Sequence, residues 1–235
     1  MTEHAEDAQA ATLRVFTFLS SWRADWRGAL VLGCGLSAGG EAFSIAANIA
    51  GAGFLGVDSR PEVCRATLRS GACDFVVNSV DEALRVLKNE IRKRKPVSVA
   101  LSMDETAALG ELLSRGVQPE LFAVFGGAAK LAQEAAERFG ALGAMVAGLS
   151  GESGIGSDAE AKIEEFTSRQ GLEWVSLICM SAEQLRARDA ELLELVPPDD
   201  PRRHWFASAP RFFHRERPYR RLAYLTAKER RKLGL

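Results

Sequence analysis

Between Gly33 and Asp58 the chain carries residue types and spacings suited to holding an anion. The segment GCGLSAGG contains Gly33-x-Gly35-x-x-Ala38, continued by Gly39 and Gly40. Gly33 would allow a tight turn, Gly35 would let the backbone approach a diphosphate, and Ala38 is small enough for a following helix to pack on a sheet. A helix starting there offers unpaired N–H groups and the positive end of its dipole to the anion. Asp58 closes the next apolar run, 20 residues after Ala38, where a carboxylate can accept from a ribose 2′-OH. Arg60 stands two residues on and would suit a 2′-phosphate. Without the acid, such glycines serve equally as a tight turn with close helix packing. With it, the pattern predicts a bound dinucleotide, NAD ahead of NADP.

Other candidates have plainer explanations. Cys34 sits inside the glycine loop at a helix start, where thiol pKa values fall; a small buried residue in a turn is the simpler expectation. Tyr224-x-x-x-Lys228 is similar to the Tyr/Lys pair of short-chain dehydrogenases, but it falls near the C-terminus, where the expected helix starts only after Thr226. GESGIGS lacks the Lys-Ser/Thr of a P-loop and is expected to be a surface loop. Arg92–Lys95 is a basic run at a helix end, matched by the helix dipole and by solvent. Cysteines 34, 64, 73 and 179 contain no C-x-x-C pair. Neither a metal site nor a disulfide framework is expected, and a reducing cytoplasm suits them. Histidines occur only at 4, 204 and 214, so an imidazole mechanism would draw mainly on the tail.

The elements that would position the loop follow from periodicity. Val15, Phe18, Leu19, Trp22 and Trp26 predict an amphipathic helix over about 10–27. Strands are expected at Ala29–Leu32, Phe54–Val57, Phe75–Val77, Val97–Leu101 and Leu121–Phe125. Helices are expected at 41–50, Pro61–Gly71, from the Ser79/Glu82 capping box to about Arg92, at Glu105–Arg115 and at Ala128–Phe139. This alternation predicts an α/β fold, a doubly wound parallel sheet of Rossmann-like type. Ala144–Leu149 and Trp174–Met180 read as further strands. Helices are expected at Asp158–Arg169 and from Ser181 to about Val196. PPDDP then marks a linker, giving a domain over 1–196 and a basic, aromatic C-terminal arm over 197–235, ending in a short helix after Thr226.

Composition bounds these readings. With 235 residues and 47% hydrophobic content, the chain has ample material for a core. No apolar run reaches the roughly 18 residues of a membrane span, and the N-terminus has no secretory-signal pattern. The net charge of -1 hides an asymmetry: residues 201–235 carry 11 Lys+Arg against 2 Asp+Glu, a net of +9, and the remainder carries -10. Trp205, Phe206, Phe212, Phe213, Tyr219 and Tyr224 alternate with arginines in this tail. Such a segment suits packing or homo-oligomerisation against the acidic body, closure over an anionic ligand, or nucleic acid. The acidic body favours the first over nucleic acid.

From about Arg27 to Phe125 the chain resembles the NAD-binding domain of urocanase (urocanate hydratase). GCGLSAGGEAFSIAANIAGAGFLGVDS, ACDF, DEALRVL and VSVALSMDETAALGELLSRGVQPEL carry the likeness. They follow the family's G-L-G-G-M-G-G-A-Q loop, its A-G-A, its strand-ending acid, its Y-V-D, its S-x-A-x-x-G-N-A stretch and its R-G-V-x-P-D segment. The resemblance implies cofactor-loop roles for Gly35, Leu36, Ser37, Ala38, Gly39 and Gly40, a ribose acid at Asp58, and cofactor contacts at Asp104 and Glu105. The chain departs where the family's cofactor-contacting Arg falls on Val63, with Arg60 and Arg65 nearby. It departs again where D-Q-T-S-A-H falls on Val124–Ala129, reading VFGGAA, and where Asp104 replaces a neutral amide. In urocanase the NAD⁺ is an electrophile held against a much larger catalytic body, for which this chain has no room. The expectation is therefore a standalone NAD(H)- or nucleotide-binding module without urocanate hydration. The alternatives are an NAD-dependent oxidoreductase or hydro-lyase completed by the tail or a second subunit, with His204, His214 and arginines as its groups, or an assembly module with an empty pocket.

Overall fold

The computed structural model describes residues 7–125, 129–148 and 157–235. Short apolar runs form β1 (Leu30–Cys34), β2 (Gly53–Asp58), β3 (Phe75–Val77), β4 (Val97–Ser102), β5 (Leu121–Val124) and β6 (Met145–Gly148). They make one six-stranded sheet in the order β3-β4-β2-β1-β5-β6, and each pairing is parallel. Helices α2 (Ala38–Ala50), α3 (Pro61–Ser70), α4 (Val80–Arg92), α5 (Glu105–Ser114) and α6 (Ala129–Ala141) connect successive strands, and α1 (Ala8–Trp22) precedes them. This is the Rossmann-like α/β architecture the alternation predicts.

Both faces of the sheet are covered, which is why β1 and β2 are buried at every position. Side chains alternate between two cores with the period of the pleat. Leu32, Leu55, Val57, Val99, Leu101 and Phe122 meet α4, α5 and α6 on one face. Val31, Phe54, Ala100, Leu121 and Ala123 meet α1 and α2 on the other. The helix ends follow local chemistry. Pro61 opens α3, Gly51 and Gly71 close α2 and α3 with left-handed φ, and Ser79 Oγ accepts from Glu82 N at 3.3 Å.

Two expected helix boundaries move. α1 stops at Trp22 rather than near residue 27, because Arg23 turns extended. Trp26 then folds back, and its indole donates to Leu19 O at 3.0 Å. Its apolar spacing reflects that cap and not another helical turn. α2 begins at Ala38 rather than at residue 41, taking Gly39 and Gly40 into its first turn.

Beyond the sheet lie α7 (Ser157–Arg169), β7 (Leu172–Ile178), α8 (Ala182–Leu195), α9 (Arg202–Phe213), β8 (Arg220–Thr226) and α10 (Ala227–Lys232). β7 leaves the parallel sheet and pairs antiparallel with β8, Trp174 opposite Tyr224. The tail sequence shows neither α9 nor β8 by simple periodicity, since Pro210 and close-set arginines interrupt α9 and Arg220 and Arg221 open β8. α9 nonetheless buries one helical face, Trp205, Phe206, Ala209 and Phe213, and these join Leu222, Ala223 and Leu225 of β8 in the core that contains α1 and α2.

Charge holds this layer in place. Arg221 is fully buried and donates to Asp189 from Nε at 2.7 Å and Nη2 at 3.0 Å. Arg202 donates to Glu229 through both Nη atoms at 2.9 Å, to Asp200, and to Tyr224 O at 3.0 Å. Arg220 pairs with Asp7, Arg211 with Asp74 and Arg230 with Glu173. No helix among the described residues is long and apolar enough to cross a membrane.

Candidate functional site

The glycine loop leaves the carboxyl end of β1, between β2 on one side and β5 on the other. The connections from these neighbours run in opposite directions there, which makes a crevice at the switch point. The loop is fastened on both sides. Gly35 N donates to Val57 O at 2.7 Å, and Phe125 N donates to Cys34 O at 2.8 Å.

Gly33, Gly35 and Gly40 have distinct roles. Gly35 has φ +93° and would bring a Cβ to 3.0 Å from Phe125 O, so the tight turn falls here and not at Gly33. Gly33 lies within β1, where a Cβ would stand 2.9 Å from the Phe54 ring. A Cβ on Gly40 would stand 2.4 Å from Gly35 O. The closest approach of helix and loop is therefore at Gly40, and Ala38, expected to supply it, is exposed. The cause is the earlier start of α2, which turns residues 39 and 40 inward.

Ser37 caps α2 with extended backbone but makes no side-chain capping bond. Ser37 and Ala38 are both exposed. Among the described residues, no acceptor meets the N–H groups of Ala38, Gly39 or Gly40. Leu36 is buried and packs on Gly56, where a Cβ would fall 2.3 Å from Leu36 Cδ2.

Asp58 ends β2 fully buried, and its carboxylate is held by this chain's own donors. Leu36 N reaches Oδ2 at 2.8 Å, Arg60 N reaches Oδ1 at 3.0 Å, and the Arg60 guanidinium reaches Oδ1 from Nε at 2.9 Å and Oδ2 from Nη2 at 2.8 Å. Burial pushes the Asp58 carboxyl up, but the bonds from Arg60 and from Leu36 N outweigh it and hold it below its ordinary value. Arg60 itself is half exposed. Ionised Asp58 thus braces the glycine loop, and a ribose hydroxyl would reach it only where Arg60 yields a place.

Asp104 caps α5, accepting from Ala107 N at 2.9 Å. Glu105 accepts from Ser59 N at 3.0 Å and Ser59 Oγ at 3.1 Å, tying α5 to the β2–α3 turn. Both carboxylates stand at the same end of the sheet as the glycine loop. Cys34 is fully buried, and its thiol is pushed up to about 12 by burial and then by Glu105 and Asp58. It is a small buried residue at the end of β1 and not an activated nucleophile. Val63 packs against the core and Arg65 is exposed.

The tail's candidate groups lie elsewhere. His204 lines a cavity of about 510 Å³ with Asp25, Arg27, Asp199 and Arg203, ahead of β1 and so at the opposite end of the sheet from the loop. Burial and then Arg27 hold its pKa below the ordinary value, with Asp25 opposing. His214 Nδ1 lies 3.1 Å from Arg211 O in an exposed turn. Tyr224 is on β8 and Lys228 on α10, so the pair does not share a helix face. The segment VFGGAA falls partly on 126–128, and GESGIGS mostly on 149–156, both outside the described residues.

The family model for the Urocanase Rossmann-like domain matches residues 11–128, just over half of the chain, from within α1 to beyond β5. The matched region contains the glycine loop, Asp58 and the α5 cap. Fold, loop geometry and family match agree: the chain belongs to the Urocanase Rossmann-like domain family.

Proposed function

We propose that the protein binds NAD(H) or a related nucleotide at the carboxyl end of β1, as a module that does not itself hydrate urocanate. The carrying observation is the first turn of α2, exposed at Ser37 and Ala38, whose N–H groups meet no acceptor among the described residues. Together with the positive end of the helix dipole, these donors suit a diphosphate. The close packing at Gly35 and Gly40 holds the turn open without side-chain bulk. Family membership supports the same reading, because the urocanase Rossmann-like domain is associated with NAD. A nicotinamide cofactor bound here would supply an electrophilic ring. The chain's own residues bind and orient it, through Ser37–Gly40 at the diphosphate and Asp58 or Arg60 at the ribose. VFGGAA in place of the family's polar D-Q-T-S-A-H segment argues against urocanate chemistry.

Calorimetric titration with NAD⁺, NADH and NADP⁺ tests the proposal, and no heat with any of them at millimolar ligand would overturn it. Ser37→Asp sharpens the test. An acid at this exposed cap favours the helix but repels phosphate, so binding should fall at least about tenfold while thermal stability holds or rises. Unchanged binding in that variant would remove the α2 turn from the site. Arg60→Ala reports on the ribose end: tighter NAD⁺ binding is expected where Arg60 competes for Asp58, and weaker NADP⁺ binding where Arg60 meets a 2′-phosphate.

A further inference from the structure

Among the described residues, the ribbon of β7 and β8 has one strand edge, that of β7, without a partner strand. Cys179 N donates to Tyr219 O at 2.8 Å, which fixes the parity of the ladder. Odd-numbered residues of β7 turn their backbone groups toward β8, and the N–H and C=O groups of Trp174, Ser176 and Ile178 point away from it. Among the described residues, no strand pairs with that outer side. The side chains along it are large and apolar for a surface: Trp174 is 40% exposed and Ile178 70%, and Met180 just beyond is 86% exposed.

Protein sheets ordinarily blunt such edges with short strands, charge or proline. The edge strand β3 follows that rule, being three residues long and flanked by Asp74, Arg85 and Arg211. β7 does not. It runs for seven residues, LEWVSLI, with no lysine, arginine or proline. Its single charge, Glu173, is already paired with Arg230.

We propose that the outer edge of β7 is a self-association surface, pairing antiparallel with β7 of a second copy of this chain about a two-fold axis at Ser176. That register is self-complementary. It sets Trp174 opposite Ile178 of the second copy, Ser176 opposite Ser176, and Ile178 opposite Trp174. Each outward residue thereby meets an outward residue, and about six new backbone hydrogen bonds form across the axis. Charge permits the match, because Glu173 falls opposite Cys179 and no like charges meet. A two-fold contact of this kind closes on itself, so it gives a dimer and not a fibre. A contact limited to about six backbone hydrogen bonds and a few apolar side chains is expected to be weak, with half-dissociation on the order of 1–100 μM.

Sedimentation velocity of the full chain from about 1 to about 200 μM tests this. The expected result is a concentration-dependent monomer–dimer equilibrium. Ser176→Pro removes only an outward N–H, and an edge strand tolerates it; Ile178→Lys restores a charged edge at an exposed position. Both should be monomeric throughout, with thermal unfolding close to that of the parent, and Ile178→Val should still dimerise. Hydrogen exchange identifies the surface: protection of the Trp174, Ser176 and Ile178 amides should rise with protein concentration. A parent chain that stays monomeric at about 200 μM overturns the proposal and leaves the edge to another partner. A dimer that persists in both folded edge variants, or whose Trp174, Ser176 and Ile178 amides gain no protection, overturns it as well.

Discussion

Asp58 shows how one buried carboxylate can fix the geometry of a loop. Its two oxygens receive the Leu36 amide and three donors of Arg60, all inside a fully buried site. Because its pKa is lower in the folded chain than in the unfolded one, ionised Asp58 adds stability above pH about 4, and that stability is lost as pH falls through the folded value. Asp58→Asn should therefore cost about 1–3 kcal/mol at pH 7. Below pH about 4 the gap between variant and parent should narrow, as urea unfolding across pH 3–7 would show. A gap independent of pH would mean that the charge of Asp58 is not what holds the loop.

At the scale of elements, the decisive contacts tie the C-terminal layer to the first helix. Arg221 of β8 joins Asp189 of α8 and, through Nη1 at 3.4 Å, Gln9 of α1, whose Oε1 also accepts from Leu222 N at 2.7 Å. Removing the guanidinium leaves a buried carboxylate without its cation. Arg221→Ala should destabilise the chain by about 3–5 kcal/mol in denaturant unfolding. Replacing Arg221 and Asp189 together with leucines should cost much less, because neither charge is then stranded. Equal losses in the single and double variants would show that packing at β8, and not the ion pair, sets the cost.

For the whole molecule, the charge asymmetry and the aromatic tail have one physical account. Basic residues after 200 meet acids of the preceding chain in the pairs Arg211–Asp74, Arg220–Asp7, Arg221–Asp189 and Arg230–Glu173. The tail aromatics fill the core beside α1: Trp205 lies 5.8 Å from Phe16 between ring centroids, and its indole donates to Leu222 O at 2.9 Å. A chain truncated after residue 196 would expose that core face. It should lose its cooperative melt and bind a hydrophobic dye, whereas a sharp transition near that of the full chain would show that residues 1–196 fold without the layer.

The sequence by itself determined the parallel sheet, its crossover helices and the place of the glycine loop. These rest on local signals: apolar runs of strand length, Pro61 and Ser79 at helix starts, and Gly51 and Gly71 at helix ends. The placement of Gly35, Ser37 and Asp58 together at one end of the sheet was legible for the same reason, since a strand, a turn and a helix start are continuous in the chain. Only the tertiary structure decided that Gly40 makes the close contact, that Arg60 already occupies Asp58, and that His204 lies at the far end of the sheet. It also decided that a segment broken by Pro210 and dense arginines is helix and strand. Those outcomes depend on residues distant in sequence, where burial against α1 and pairing with Asp189 outweigh weak local preference.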